Sequence, residues 1–137
     1  MTSSTWIFES SEPLHSCGID AEAVSRFEAV ALEESPMPLV FSKEEAAHAR
    51  TAEHPAETLC ICFCAKEAVL KALETPYDFR SCRLFPDAGA GAAPILLDDD
   101  LAREHGVLTK GRLEYRHSDG GGEVIAAAYL FCEEDDH

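Results

Sequence analysis

The sequence predicts an α+β fold in which a mainly antiparallel sheet packs against one long central helix. The segment from about Pro55 to Glu74 is apolar on most of its circumference, which is typical of a largely buried helix. Beyond Pro76 the pattern changes to short apolar runs separated by turn residues, and this favours strands. Two of these runs flank Gly120 to Gly122, which predicts a hairpin between the last two strands.

The N-terminal part of the chain predicts shorter elements. Trp6 to Phe8 predict a short strand or an N-terminal arm that packs its aromatic rings. Leu14 to Ile19 predict an apolar strand that ends at Asp20. From Ala21 to Glu34 the apolar residues recur at helical spacing, so this segment is predicted to be a helix that ends before the prolines that follow.

Two helix starts carry clear N-terminal signals. Ser42 is followed three residues later by Glu45, which predicts a capping box for a short helix running to about Ala52. Pro55 fits the first turn of the long helix, because the N–H that proline lacks would have no partner there in any case.

The segments after the long helix complete the predicted fold. We expect a strand at Phe79 to Phe85, a loop at Asp87 to Ala93 and a short strand at Ile95 to Leu97. A single helical turn follows at Asp98 to Gly106, and two hairpin strands follow at Val107 to Arg116 and Val124 to Cys132. The sequence contains no internal repeat and no long linker. We therefore expect residues 1–137 to form a single domain, with residues 133–137 as an acidic, solvated tail.

The charge balance restricts the partners that the protein can bind. The chain has 26 acidic and 11 basic residues, which gives a formal net charge of −15. A nucleic-acid backbone would be repelled, and no basic stripe with interleaved aromatic residues counteracts the repulsion. An anionic membrane surface is disfavoured for the same reason. We therefore expect neither nucleic acid nor a membrane as a partner.

The six cysteines do not predict a disulfide framework. Cys60, Cys62 and Cys64 lie within the apolar helical segment, where free cysteines behave as small buried hydrophobic residues. Their spacing differs from that of a zinc knuckle or a redox pair, although a thiol-based metal or redox protein remains a third hypothesis. The first residues lack the features of a secretion signal, and no apolar run approaches the ~20 residues of a membrane span. A reduced, cytoplasmic protein is expected.

Asp20 and Glu22 form a pair of carboxylates with two possible roles. If the strand continues through them, both side chains leave the same face about 6–7 Å apart and form a pair of hard oxygen ligands that suits Mg²⁺. Alternatively, Asp20 caps a helix and Glu22 lies in its first turn. Taken alone, the pair favours the second alternative, an acidic helix start.

A second charged group lies on the long helix. Glu67 and Lys71 are four residues apart, so they could form an ordinary intrahelical ion pair. On a mostly buried helix, however, charged side chains are costly unless they are paired or line a wet cleft, and a cleft explains both residues. Lys66 points about 100° away from Glu67 and could reach a phosphate from another side, or could extend along the surface toward water.

Four segments, taken together and in this order, resemble the 4′-phosphopantetheinyl transferase superfamily: Gly18 to Asp20, the next segment with Arg26 and Phe27, Phe41 to Glu45, and above all Phe63 to Ala72. The Lys-Glu-Ala-x-x-Lys-Ala core with an upstream Gly-Ile-Asp is the most specific part of the pattern. A weaker similarity continues through residues 91–94 and 116–118, so that most of the chain is covered. The length is similar to that of the small holo-acyl-carrier-protein synthase type.

The resemblance implies transfer of the phosphopantetheine arm of coenzyme A to a serine of an acyl or peptidyl carrier protein, with release of adenosine 3′,5′-bisphosphate. It implies that Asp20 and Glu67 are Mg²⁺ ligands, with Glu22 as a third. It further implies that Glu67, or a water that it orients, accepts the serine proton. Lys71 falls on the lysine that stabilises or protonates the leaving phosphate.

We expect Lys66 and His117 to contact coenzyme A, and the resemblance implies that the chain forms a homotrimer with active sites between subunits. Fatty acid biosynthesis is one pathway for such an enzyme. Several positions differ from the family pattern in ways that reduce the contacts to coenzyme A: Cys62 replaces an arginine, Glu74 lies near a replaced glycine, Ala92 and Ala93 lie where a lysine is usual, and His117 alone remains of a Ser-x-Ser-His segment. These differences favour an alternative, a non-catalytic binding module that keeps the fold and part of the metal site.

Overall fold

The computed structural model describes residues 12–133 of the chain. In it, five antiparallel strands form one sheet in the order β1-β5-β4-β3-β2. The strands are β1 (Leu14–Ala23), β2 (Cys82–Arg83), β3 (Ala92–Leu97), β4 (Lys110–His117) and β5 (Glu123–Phe131), and the helices are α1 (Lys43–Arg50), α2 (Pro55–Leu73) and α3 (Asp99–His105). The predicted α+β fold, with an antiparallel sheet on a long central helix, is confirmed. The predicted arm at Trp6 to Phe8 lies outside the described residues.

The long helix α2 is buried on nearly all sides, as its composition predicts. It lies on the sheet against β1 and β5 and also contacts α1. Pro55 occupies the first turn, as predicted. The predicted capping box of α1 is present: the Ser42 hydroxyl accepts from the Glu45 amide at 3.1 Å, and the Ser42 amide donates to Glu45 Oε1 at 2.9 Å.

Strand β1 is longer than the sequence pattern predicts. It pairs with β5 as far as Ala23, with Asp20 opposite Ala126 and Glu22 opposite Val124. The amide of Val24 then donates to Gly122 in the hairpin at 3.0 Å. The backbone between Asp20 and Ala23 is therefore committed to the sheet, and Asp20 does not cap a helix.

The predicted helix from Ala21 to Glu34 is wrong. The segment contains two short 3₁₀ turns, Val24–Phe27 and Val30–Leu32. Phe27 is fully buried and packs on the ring of Phe63 at a centroid distance of 5.5 Å. The helical spacing of apolar residues therefore marks a face that packs on α2 without a continuous helix.

The second half of the chain differs from expectation in detail. Only Cys82–Arg83 of the predicted strand from Phe79 to Phe85 pairs with β3, since a 3₁₀ turn occupies Phe79–Ser81. Helix α3 spans seven residues, longer than the predicted single turn, and it ends at Gly106 with a φ of 68°. The predicted hairpin is confirmed as β4 and β5.

Close contact between β1 and α2 depends on a glycine. A Cβ atom added at Gly18 would lie 2.0 Å from the carbonyl oxygen of Ala68 and 2.9 Å from the amide nitrogen of Ala72. Both neighbours are backbone atoms of α2. Gly18 therefore sets the distance at which the strand carrying Asp20 lies on the helix carrying Glu67.

The three cysteines of α2 are buried and have free thiols, as predicted. Cys60 and Cys64 donate to the carbonyl oxygens of Glu22 and Val124, each at 3.6 Å. Cys62 faces the other way and donates to Leu84 at the same distance. Cys62 is thus part of the core. Across residues 12–133, none of the helices has the length and apolar character needed to span a membrane.

Candidate active site

The site lies where the end of β1 crosses the middle of α2. Alternation along β1 turns Asp20 and Glu22 toward α2, while Ile19 and Ala21 point to the opposite, exposed face of the sheet. The strand alternative for the carboxylate pair is therefore the one that the structure adopts. The side chain of Asp20 is only 13% exposed, so this carboxylate is largely removed from water.

Lys71 connects the two elements. Its Nζ donates to Asp20 Oδ1 at 2.8 Å and to the carbonyl oxygen of Ile19 at 3.1 Å. The hydrogen bond to Asp20 raises the pKa of Lys71 above its ordinary value. The lysine thus forms its ion pair with the neighbouring strand, whereas the simplest expectation from spacing is a pair with Glu67 on its own helix.

Glu67 lies one helical turn before Lys71 and is electrostatically coupled to the strand carboxylates. Partial burial raises its pKa above the ordinary value, and the negative charges of Asp20 and Glu22 raise it further. Lys71 and Arg26 act in the opposite direction. The structure therefore brings Asp20, Glu22, Glu67 and Lys71 together around one region of incompletely balanced negative charge.

Glu22 is held by the first turn after the strand. Its Oε1 accepts from Arg26 Nη1 at 2.7 Å. The guanidinium group of Arg26 also lies over the ring of Phe63, 4.8 Å from its centroid. This contact fixes one wall of the site to α2.

One carboxylate oxygen has the surroundings expected of a cation ligand. Asp20 Oδ2 is buried and has no hydrogen-bond partner among the described residues, an arrangement that is costly unless a ligand or cation satisfies the oxygen. Carboxylate oxygens of this kind suit Mg²⁺, which takes few protein ligands and completes its shell with water and phosphate. Within residues 12–133, no group of three histidine, cysteine, aspartate or glutamate side chains is already arranged to hold a metal ion. In this structure Lys71 and Arg26 engage Asp20 and Glu22 instead.

The position of Lys66 corrects the expectation that it contacts coenzyme A. Its side chain is fully buried, and its Nζ lies 3.1 Å from Glu45 Oε2, which is also fully buried. The same ammonium group donates to the carbonyl oxygens of Phe79 and Cys82. All its donor capacity is used inside the protein, so Lys66 joins α2 to α1 and to the segment before β2.

His117 lies at a second location, at the end of β4. Its Nε2 is 2.8 Å from Glu57 Oε2 in the first turns of α2. Both residues line a cavity of about 740 Å³, together with His48, His54 and Asp87. The structure therefore places His117 beside the N-terminal part of α2, two to three turns before Glu67.

Two contributors to these sites are not identified by sequence reasoning. Glu45 is recognisable as a capping residue, but no local pattern indicates that its second oxygen binds Lys66 and the Leu84 amide at 2.8 Å. Glu57 carries no signal for its contact with His117, because the two are distant in sequence. Both pairs arise only when the chain folds.

The chain is similar in sequence to known proteins. The family model of the 4′-phosphopantetheinyl transferase superfamily matches residues 16–127. A holo-[acyl-carrier-protein] synthase of Anaeromyxobacter dehalogenans is 32% identical over 121 residues, which cover 82% of this chain and 92% of the relative. The protein of the same name from Anaeromyxobacter sp. strain K is 31% identical with the same coverage.

Solved structures share the fold. The ACPS–CoA complex of Chronobacterium ammoniagenes has a TM-score of 0.64 at 23% identity, covering 87% of this chain and 98% of the other. A Plasmodium yoelii acyl carrier protein synthase with ADP bound has a TM-score of 0.68 at 18% identity, covering 91% and 100%. At these identities the structural likeness shows the fold alone, whereas the family model and the relatives confirm the predicted family and enzyme class. The chain belongs to the 4′-phosphopantetheinyl transferase superfamily.

Proposed function

We propose that the protein catalyses the Mg²⁺-dependent transfer of the phosphopantetheine arm of coenzyme A to a serine of an acyl or peptidyl carrier protein. The observation that carries the proposal is the convergence of Asp20, Glu67 and Lys71 at the contact between β1 and α2. The curated relatives are holo-[acyl-carrier-protein] synthases, and solved structures of similar fold include complexes with coenzyme A.

In this proposal, Asp20 and Glu67 hold the metal, with Glu22 as a third ligand. A bound Mg²⁺ would neutralise negative charge on the pyrophosphate of coenzyme A. The orphaned oxygen of Asp20 and the negative charges that act on Glu67 support these assignments. Release of Asp20 Oδ1 from Lys71 frees a second oxygen of the same carboxylate.

The protein side chains then act on the two reacting oxygens. Glu67, or a water that it orients, accepts the proton of the carrier serine, whose oxygen bonds to the β-phosphorus of coenzyme A. The bond from that phosphorus to the bridging oxygen breaks, and adenosine 3′,5′-bisphosphate leaves. Lys71, which is half exposed and already donates to Asp20, stabilises or protonates the departing phosphate. The protein thus contributes alignment and charge stabilisation, as expected for phosphoryl transfer.

We place the nucleotide end of coenzyme A near His117. Its cavity of about 740 Å³ is large enough for a small ligand and lies along α2 from Glu67. Lys66 is not included, since its ammonium group is enclosed by Glu45 and backbone carbonyls.

We further propose a cytoplasmic homotrimer that serves fatty acid biosynthesis or a related assembly line. The β1–β5 part of the outer face of the sheet is apolar: Ile19 is 59% exposed there, beside the partly exposed Ile125, Ala127, Tyr129 and Phe131. An apolar face of this kind favours self-association. Analytical ultracentrifugation tests the trimer, and Ile19→Arg should shift the protein toward monomer.

Intact-mass measurement of carrier proteins tests the function. With coenzyme A and Mg²⁺, at least one of a range of apo carrier proteins should gain one phosphopantetheine mass. Glu67→Gln should abolish the gain while keeping the fold, and the matched control Glu104→Gln, at an exposed position on α3, should not. No mass gain on any carrier protein with the wild type would overturn the proposal.

The alternative is a non-catalytic binding module. It is favoured by the ion pairs of Asp20 with Lys71 and of Glu22 with Arg26, which engage two of the three proposed metal ligands. Calorimetric titration with coenzyme A and Mg²⁺ separates the alternatives when combined with the mass assay. Binding without any transfer would favour the module.

A further inference from the structure

The cavity beside His117 is lined by acidic side chains and by no lysine or arginine. It lies between the turn from α1 to α2, the loop that starts at Pro86 and the end of β4. Three carboxylates line it, those of Glu53, Glu57 and Asp87. The chain has 11 lysine and arginine residues, all within residues 12–133, and none of them lines this cavity.

The basic residues nearest to the cavity in sequence point elsewhere. Arg116 precedes His117 on β4, but strand alternation turns it to the other face of the sheet, where it lines a separate cavity of about 400 Å³. Arg50, at the end of α1, donates to the backbone oxygen of Glu34 at 2.9 Å and lines a groove on another side of α1. Neither guanidinium group therefore brings positive charge to the lining of the His117 cavity.

Two of the three histidines in the cavity already have protein partners. His117 Nε2 lies 2.8 Å from Glu57 Oε2, so a carboxylate balances any positive charge on this ring. His48 Nε2 lies 2.7 Å from a backbone oxygen of the loop. Of the three rings, only the exposed His54 ring has no hydrogen bond or ion pair among residues 12–133. Histidine therefore does not offset the three carboxylates.

The start of α2 does not offset the carboxylates either. A helix N-terminus attracts anions through its free amide groups and its dipole. Here Pro55, in the first turn, has no amide hydrogen, and Glu57 already places a carboxylate in the same turn. A ligand phosphate would add negative charge to a helix end that already carries it.

This charge pattern discriminates between two forms of the nucleotide donor. The 3′-phosphate of coenzyme A carries roughly two negative charges, like other phosphate monoesters, and the carboxylates of the cavity would repel it. Dephospho-coenzyme A has free hydroxyl groups on its ribose, and a hydroxyl donates a hydrogen bond to a carboxylate. Dinucleotide-binding folds make the same distinction, since an acidic side chain binds a free ribose hydroxyl whereas arginine accommodates a ribose phosphate.

We propose that dephospho-coenzyme A is the preferred donor of the phosphopantetheine arm, because Glu53, Glu57 and Asp87 disfavour the 3′-phosphate of coenzyme A. This inference rests on the proposed function and on the placement of the nucleotide in this cavity. The serine oxygen bonds to the same phosphorus, and the same bond to the bridging oxygen breaks. The serine proton passes to Glu67 or to a water that it orients, and the leaving group is adenosine 5′-monophosphate. Coenzyme A remains a poorer donor.

The rate of phosphopantetheine mass gain, measured with each donor, tests the preference. With Mg²⁺ and an apo carrier protein, the KM for dephospho-coenzyme A should be about tenfold below that for coenzyme A, and the difference should shrink at high salt. Glu53→Lys replaces an exposed carboxylate of the cavity by a cation and should reduce the difference to about twofold. The matched control Glu104→Lys makes the same charge change on α3, outside the cavity, and should keep the wild-type ratio of KM values.

Calorimetry with the two leaving nucleotides tests the selection without any transfer. In the presence of Mg²⁺, adenosine 5′-monophosphate should bind the wild type about tenfold more tightly than adenosine 3′,5′-bisphosphate does. Tighter or equal binding of the bisphosphate, or no binding of either nucleotide, would overturn the inference. A KM for coenzyme A equal to or below that for dephospho-coenzyme A, or a wild-type KM ratio in Glu53→Lys, would also overturn it. Absence of transfer from both donors would instead contradict the proposed function.

Discussion

Replacing Gly18 by alanine should disturb the site without touching any of its charged groups. The added Cβ would lie 2.0 Å from the Ala68 carbonyl oxygen, whereas real Cβ contacts are essentially never shorter than 3.0 Å. Strand and helix must therefore separate by about 1 Å, because both neighbours are backbone atoms of α2. Asp20 is two residues beyond Gly18 on the strand, so it moves away from Lys71 and Glu67.

The magnitude follows from this displacement. Overpacking of a close contact costs about 1–3 kcal/mol of unfolding free energy. A misplacement of about 1 Å in reacting groups can cost about 100-fold in rate. We expect kcat/KM for the carrier protein to fall about 100-fold and the urea midpoint to decrease.

The assay is the rate of phosphopantetheine mass gain, combined with urea unfolding. Gly122→Ala is the matched control, because a Cβ there meets nothing within 4 Å. This control should keep full activity and stability. A Gly18→Ala protein with the wild-type rate and midpoint would refute the reasoning that the glycine sets the distance between β1 and α2.

Three further substitutions or conditions test other parts of the structure. Lys66→Met should lower the unfolding free energy by about 3–5 kcal/mol in a urea titration, because Glu45 is left buried and unpaired; an unchanged midpoint would contradict the buried ion pair. Glu74 ends α2 with a φ of 60°, a left-handed backbone conformation that glycine adopts with less strain. Glu74→Gly should therefore raise the unfolding free energy by about 1 kcal/mol. A lower unfolding free energy of this variant would refute the backbone strain at Glu74. Burial raises the pKa of Cys60 to about 12, so at pH 8 an alkylating reagent should label the exposed Cys17 and spare Cys60 in the folded protein. The folded state holds the Cys60 proton more tightly than the unfolded state does. The resulting contribution to the free energy of unfolding is complete below the unfolded pKa near 9 and is lost as the pH rises through the folded pKa. Equal labelling of Cys17 and Cys60, measured by mass spectrometry, would contradict the burial of Cys60.

Local capping signals predicted where helices α1 and α2 begin. The capping box at Ser42 and the proline at the start of α2 act within one turn, so the sequence shows them directly. The segment from Ala21 to Glu34 has helical spacing, but pairing of β1 with β5, about 100 residues later in the chain, determines its first part. Local periodicity cannot show such a long-range competition.

The sequence indicated the charged residues that meet where β1 crosses α2, but not how they pair. The motif around Glu67 and the strand ending near Asp20 identify the charged side chains of both elements. The ion pair between Lys71 and Asp20 could not be predicted. An intrahelical pair of Lys71 with Glu67 has the ideal spacing, and Asp20 comes within reach of Lys71 only because β1 crosses α2 in the fold. The buried ion pair of Lys66 with Glu45 could not be predicted for a related reason. In the sequence, Glu45 already has a local role as a capping residue, so nothing there indicates a second contact.

The central claim is that Asp20 and Glu67 share one divalent cation. Electron paramagnetic resonance of Mn²⁺, titrated into the protein with coenzyme A present, measures this most directly. We predict one bound Mn²⁺ per chain in the wild type and in Glu104→Gln, and loss of that binding in both Asp20→Asn and Glu67→Gln. Mn²⁺ binding of wild-type strength in either Asp20→Asn or Glu67→Gln would contradict it.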